Sequence, residues 1–137
     1  MEWSSADGEP APLGGGQLLA AITNRIVGML HDHYGRGPSK AKTYARDDMI
    51  VVVLRGSGFT ALEQTIMDSG EPERVIAIRE DFQRVMAGRS QHMIEELTGR
   101  NVLAFVSRVH VEPDITIEVF FIDGPLRGFG APESSET

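Results

Sequence analysis

The sequence predicts an α+β domain in which a four-stranded antiparallel sheet carries helices on one face, in the order α-β-β-α-α-β-β. Three observations predict it. Two segments, about 18–34 and 72–97, repeat apolar residues at three- and four-residue spacing, as one face of a helix does. Four short segments have strand composition and fall into two pairs. Each pair is joined by a tight turn, Asp47-Asp48 in the first and Glu112-Pro113-Asp114 in the second. Helices segregated to one side of paired strands define this class.

The first helix is drawn from Leu18, Leu19, Ile22, Ile26, Met29 and Leu30, and it runs to Tyr34. Gly35 or Gly37 supplies a left-handed cap, and Pro38 blocks continuation. The first hairpin pairs 41–46 with 49–55. The β-branched run in the second of these strands predicts a central strand buried on both faces. Gly56-Ser57-Gly58 breaks that strand. Thr60-Ala61-Leu62-Glu63 is a capping box that opens a short helix ending near Gly70. Pro72 suits the first turn of the next helix, whose apolar stripe reads Val75, Ile78, Phe82, Val85, Met86, Met93, Ile94 and Leu97. Continuous from Pro72 to Leu97, that helix would be roughly 39 Å long. It would then either break at Gly88 or pack its surplus face on a second subunit. Residues 101–111 and 115–122 form the second hairpin. Residues 1–16 and 124–137, rich in Gly, Pro, Ser and Glu, read as disordered tails that flank a single domain over 17–123. Trp3 is the one aromatic residue of the first tail and could dock on a partner.

The 137-residue chain carries a formal charge of −7, of which −3 falls on residues 1–15 and −2 on residues 123–137. The part between them is only mildly acidic, and nucleic acid is an unfavoured partner because its binding is driven by phosphate neutralisation. With no cysteine, disulfides, thiolate catalysis and cysteine-ligated metals are excluded. No run approaches the ~18 apolar residues of a membrane span, and the start lacks a signal-peptide pattern. A cytoplasmic location is expected, peripheral at the inner face of the membrane where a partner holds it there.

Tyr34-Gly35-Arg36-Gly37-Pro38-Ser39-Lys40 is the most chemically suggestive stretch. It matches neither a Walker loop nor GxGxxG. It follows a helix C-terminus, where the dipole repels anions, so a helix stop explains it. The alternative is an anion site built from Gly35, Arg36, Gly37, Ser39, Lys40 and Lys42, with Arg100 joining if the fold brings it near. His31-Asp32-His33 has the wrong spacing for metal ligation on a helix. Arg79, Glu80, Asp81 and Arg84 read as a solvated helix face. No nucleophile, acid–base pair, cofactor motif or metal set emerges.

Taken together, YGRGPSKAKTYARDDMIVVVLRGSGFTALEQ and REDFQRVMAGRSQHMIEELTGRNVLAFVSRVHVEPDITIEVFFID resemble the MpsC-like family over about Gln17 to Asp123. The resemblance implies a small soluble protein linked to a cation-translocating, membrane-potential-generating system. Its membrane partners resemble complex I-type antiporter and inorganic-carbon uptake subunits. It carries no catalytic residues over. The expectation is therefore a non-enzymatic accessory or regulatory protein, homodimeric, working with a membrane cation or bicarbonate transporter. The competing expectation is a sensor of a nucleotide or other small anion at the GRGP loop.

Overall fold

A computed structural model describes residues 13–129. The elements are α1 (Gly15–Tyr34), β1 (Lys40–Arg46), β2 (Met49–Arg55), α2 (Ala61–Asp68), α3 (Pro72–Thr98), β3 (Val102–Val111) and β4 (Asp114–Ile122). The fold is α+β, as expected. The four strands form one antiparallel sheet in the order β1-β2-β4-β3.

Local chemistry sets the boundaries. Gly35 closes α1 in the left-handed conformation (φ 84°), and its N–H donates to the Leu30 carbonyl. Thr60 and Glu63 form both halves of the capping box at the start of α2. Asp47 takes φ 56° in the two-residue β1–β2 turn, a position that Asp tolerates better than most side chains. The β3–β4 turn is shorter than the sequence suggests, because Asp114 already pairs with Val111.

One face of the sheet is covered. α1 packs on the β1 side and α3 on the β3 side. Leu18, Ile22 and Ile26 of α1 meet Ile50, Val52 and Leu54 of β2, Phe120 and Ile122 of β4, and Met93 and Ile94 of α3 in the main core. A second cluster of Ile66, Val75, Val109 and Val111 ties α2 and the start of α3 to the far end of β3.

Four expectations change. Helix α1 starts at Gly15, inside the segment read as a tail, because Gly15 N–H is held by the Arg127 carbonyl at 3.0 Å. Residues 124–129 likewise belong to the fold, since Leu126 is buried in the core. The rest of both expected tails, and Trp3, lie outside the described residues. Helix α3 runs through Gly88 unbroken for 27 residues. Its buried stripe is Val75, Arg79, Gln83, Met86, Ser90, Met93, Ile94 and Thr98. Ile78 and Val85, assigned to the core by spacing, are 38% and 78% exposed. Finally, β2 is central but covered on one face only: Ile50, Val52 and Leu54 are buried, while Met49, Val51 and Val53 are half-buried.

Candidate functional site

The uncovered face of the sheet follows from strand register. Alternate residues of each strand point away from the helices, and the pairings align them in four cross-strand rows. The rows are Arg46-Met49-Phe121-Ala104, Tyr44-Val51-Val119-Val106, Lys42-Val53-Ile117-Arg108 and Lys40-Arg55-Ile115-His110. The centre is apolar, basic side chains stand around it, and none of these positions is a carboxylate. Tyr44, Val106 and Ile117 are 49%, 51% and 39% exposed. Lys42 reaches over the Tyr44 ring, 5.3 Å from its centroid, a cation–π arrangement that leaves the ammonium at the rim.

The size of this face matters. Four strands spaced ~4.8 Å apart and about 7 residues long at ~3.3 Å each span roughly 19 by 23 Å. That flat area, roughly 440 Å², is about half of the ~800 Å² each partner contributes to a standard protein interface. An antiparallel sheet with one solvated face normally alternates apolar with polar residues. Here both faces are apolar, as in a sheet covered on both sides.

The far end of α1 holds a buried polar network. Arg79 projects from α3 beneath the loop 56–60. It donates from Nε to Glu63 Oε2 (3.0 Å), from Nη2 to Glu63 Oε1 (3.0 Å) and the Gly58 carbonyl (2.6 Å), and from Nη1 to Asp114 Oδ1 (2.9 Å). Asp114 Oδ2 accepts from Gly58 N–H at 2.9 Å. Tyr34 donates its hydroxyl to Glu63, and the Arg79 guanidinium lies 5.0 Å from the Phe59 ring centroid. Burial alone would raise the Glu63 carboxyl. The hydrogen bonds from Arg79, Tyr34 and the Thr60 backbone outweigh it and hold Glu63 below its ordinary value. Burial and the Glu63 carboxylate push the Tyr34 hydroxyl up to about 12. Arg79 is therefore no solvated helix residue. It fastens α1, α2, α3 and the start of β4 to one another, and its donors are spent inside the fold.

The residues of the expected anion site separate into three places. Gly35 is the α1 cap, and a Cβ on Gly37 would collide with the His31 ring. Arg36 lies across the loop 56–58, donating from Nε to the Ser57 carbonyl at 3.1 Å. Ser39 bonds the Arg55 carbonyl through both its N–H (3.0 Å) and its hydroxyl (3.1 Å). With Lys40 and Lys42 it lines a shallow depression of about 450 Å³ on the open face, completed by Ala41, Tyr44, Val53 and Arg55. Arg100 joins neither group. It donates to the Pro125 carbonyl at 3.0 Å, beyond the sheet end where Val102 pairs with Ile122, whereas Lys40 pairs with Arg55 at the other end. The ~30 Å length of α1, set by its 20 residues, separates the two ends.

Among the described residues, no cluster of three or more His, Cys, Asp or Glu side chains could hold a metal ion. No helix among them is long and apolar enough to cross a membrane. The family model described as "Na+-translocating membrane potential-generating system (MpsC)" matches residues 15–124. The chain belongs to the MpsC family. The match spans α1 through the residue pair that follows β4 and takes in all the described helices and strands. Its description ties the chain to Na+ translocation and membrane potential. No curated protein and no solved structure matches the chain.

Proposed function

We propose that this MpsC domain is a non-enzymatic accessory or regulatory component of a membrane cation or bicarbonate transport system. It acts from the cytoplasmic side and docks on a membrane subunit through the open face of its sheet. The observation that supports this reading is the face itself: an apolar centre ringed by Lys40, Lys42, Arg46, Arg55 and Arg108, with no acid among its cross-strand rows. The complementary surface is an apolar segment flanked by carboxylates. Two copies stacked face to face would oppose basic rims, so a different partner is favoured at this site. A homodimer, if formed, uses the outer stripe of α3, where Ile78 and Val85 stand exposed.

The test is affinity capture of the full chain from detergent-solubilised membranes, beside Val106→Lys and Ile117→Lys. The expected result is a membrane subunit that co-purifies with the wild type and is lost with both variants. Capture of nothing membrane-embedded, or capture unaffected by both substitutions, sinks the reading.

A second reading has one observation in its favour. Ser39, Lys40 and Lys42 share a depression with Arg55, a setting suited to a small anion such as phosphate, a nucleotide or bicarbonate. A thermal-shift series with those anions checks it. A shift that survives Lys42→Ala and Arg55→Ala together would remove the site.

A further inference from the structure

Glu118 is the buried ionisable group that the Arg79 network leaves out. It lies on the covered face of β4, in a cross-strand row between Val52 of β2 and Ser107 of β3. It is 3% exposed, and its Oε1 has no hydrogen-bond partner among the described residues. Above it, α1 and α3 leave a cavity of about 10 Å³, the scale of one water-sized particle. The wall from α1 is apolar. The wall from α3 includes two buried polar side chains, the carboxamide of Gln83 and the hydroxyl of Ser90. No wall residue other than Glu118 is titratable. The adjoining cleft holds Tyr34, Arg36 and Arg79: Arg79 is committed to Glu63, Asp114 and Gly58, Tyr34 donates to Glu63, and Arg36 donates from Nε to the Ser57 carbonyl.

A bare carboxylate in such a place is strongly disfavoured. It must be protonated or paired with a positive charge. Burial pushes this carboxyl up to about 7, so both options are open near neutrality. The polar donors are hard oxygens, which suit alkali and alkaline-earth cations, while the Met29 and Met86 thioethers in the same walls are neutral, weak acceptors. A single carboxylate balances a single charge. A divalent ion would leave net charge in an apolar core and would lack the several carboxylates such ions normally recruit.

We propose that this cavity binds one small monovalent cation against the Glu118 carboxylate, with the Gln83 carboxamide oxygen and the Ser90 hydroxyl as further protein ligands, in competition with a proton. The site lies on the opposite side of the sheet from the docking face, so neither proposal depends on the other.

The experiment is thermal unfolding of the full chain in NaCl, KCl and choline chloride at equal ionic strength, at pH 8 and pH 5.5, repeated with Glu118→Gln. At pH 8 one alkali cation should raise the Tm above choline by about 5 °C at tenfold excess over its Kd. At pH 5.5 the proton should displace the ion and the three salts should coincide. Glu118→Gln should abolish the salt difference at pH 8. Equal Tm values in all three salts at pH 8 overturn the proposal and leave a proton-only site. A salt difference that persists at pH 5.5 overturns it too, because the proton then fails to compete. Should Glu118→Gln not fold, the wild-type series at two pH values still decides.

Discussion

Arg79 shows what one side chain can hold. Its guanidinium meets two carboxylates and a carbonyl while itself only 5% exposed. Removing it would leave Glu63 as a buried charge, and Asp114 as a half-buried one, without their cation. Arg79→Ala should therefore cost about 3–5 kcal/mol in chemical denaturation. Glu63 and Glu118 titrate in opposite senses. Glu63 is held below its ordinary value, so its stabilisation is present at neutral pH and is lost as pH falls from about 4.5 toward its folded pKa. Glu118 is raised to about 7, so its contribution is full below about 4.5 and disappears as pH rises to 7. Stability should peak on the acid side of neutrality. Without a compensating cation, the decline toward pH 7 amounts to up to about 3 kcal/mol. Glu118→Gln should flatten that alkaline arm and leave the acid arm intact, as read from denaturation curves between pH 4 and 8. Neither residue announces itself in the sequence. Arg79 sits among Glu80, Asp81 and Arg84, a run that reads as solvent-facing. Its partners lie 16 and 35 positions away, beyond any local pattern. The one local sign is spacing, for Val75, Arg79 and Gln83 repeat at four residues on the buried stripe.

At the level of elements, end signals are local and were legible. Thr60 with Glu63 opens α2, and Gly35 and Gly99 close α1 and α3 in left-handed conformations, because each needs only a few neighbouring residues to act. Thr60→Ala should cost about 1 kcal/mol. Gly88 lies inside α3, and a Cβ there would meet nothing within 4 Å. Gly88→Ala should thus stabilise the chain by up to about 1 kcal/mol, visible as a higher Tm. The orientation of strands was harder to read. In β4, Ile115, Ile117, Val119 and Phe121 alternate with Thr116, Glu118, Phe120 and Ile122. Simple alternation would bury the first set, yet it is Thr116, Glu118, Phe120 and Ile122 that meet the helices. A strand with two apolar faces leaves its phase to tertiary packing.

Across the whole molecule, the open face is the feature that the sequence hinted at without placing. The β-branched run of β2 predicted a strand buried on both faces, whereas in the described fold only Ile50, Val52 and Leu54 are buried. Its second face, with Met49, Val51 and Val53, stays half-buried in the described fold. Val106→Lys and Ile117→Lys alter side chains that are already 51% and 39% exposed. They should shift stability by less than about 1 kcal/mol while removing partner capture. Urea curves beside the pull-down separate a docking defect from a folding defect. Of the expected anion site, Ser39, Lys40 and Lys42 share one depression because residues two apart on β1 face the same way, Arg36 lies across the loop 56–58, and Arg100 stands at the other end of the sheet.

The strand order has a consequence for how the chain is assembled. Each half, α1-β1-β2 and α3-β3-β4, is a helix followed by a hairpin, and the halves meet where β2 lies against β4. The arrangement is that of two like modules related by a rough half-turn, each ending in a strand whose free edge and apolar inner side the other must complete. Separated modules should be unstructured alone. A cut between Ser69 and Gly70, in the turn joining α2 to α3, should nonetheless give two fragments that recombine on mixing. Recovery of β-sheet circular dichroism only in the mixture would mark the domain as two interdependent pieces held along one seam.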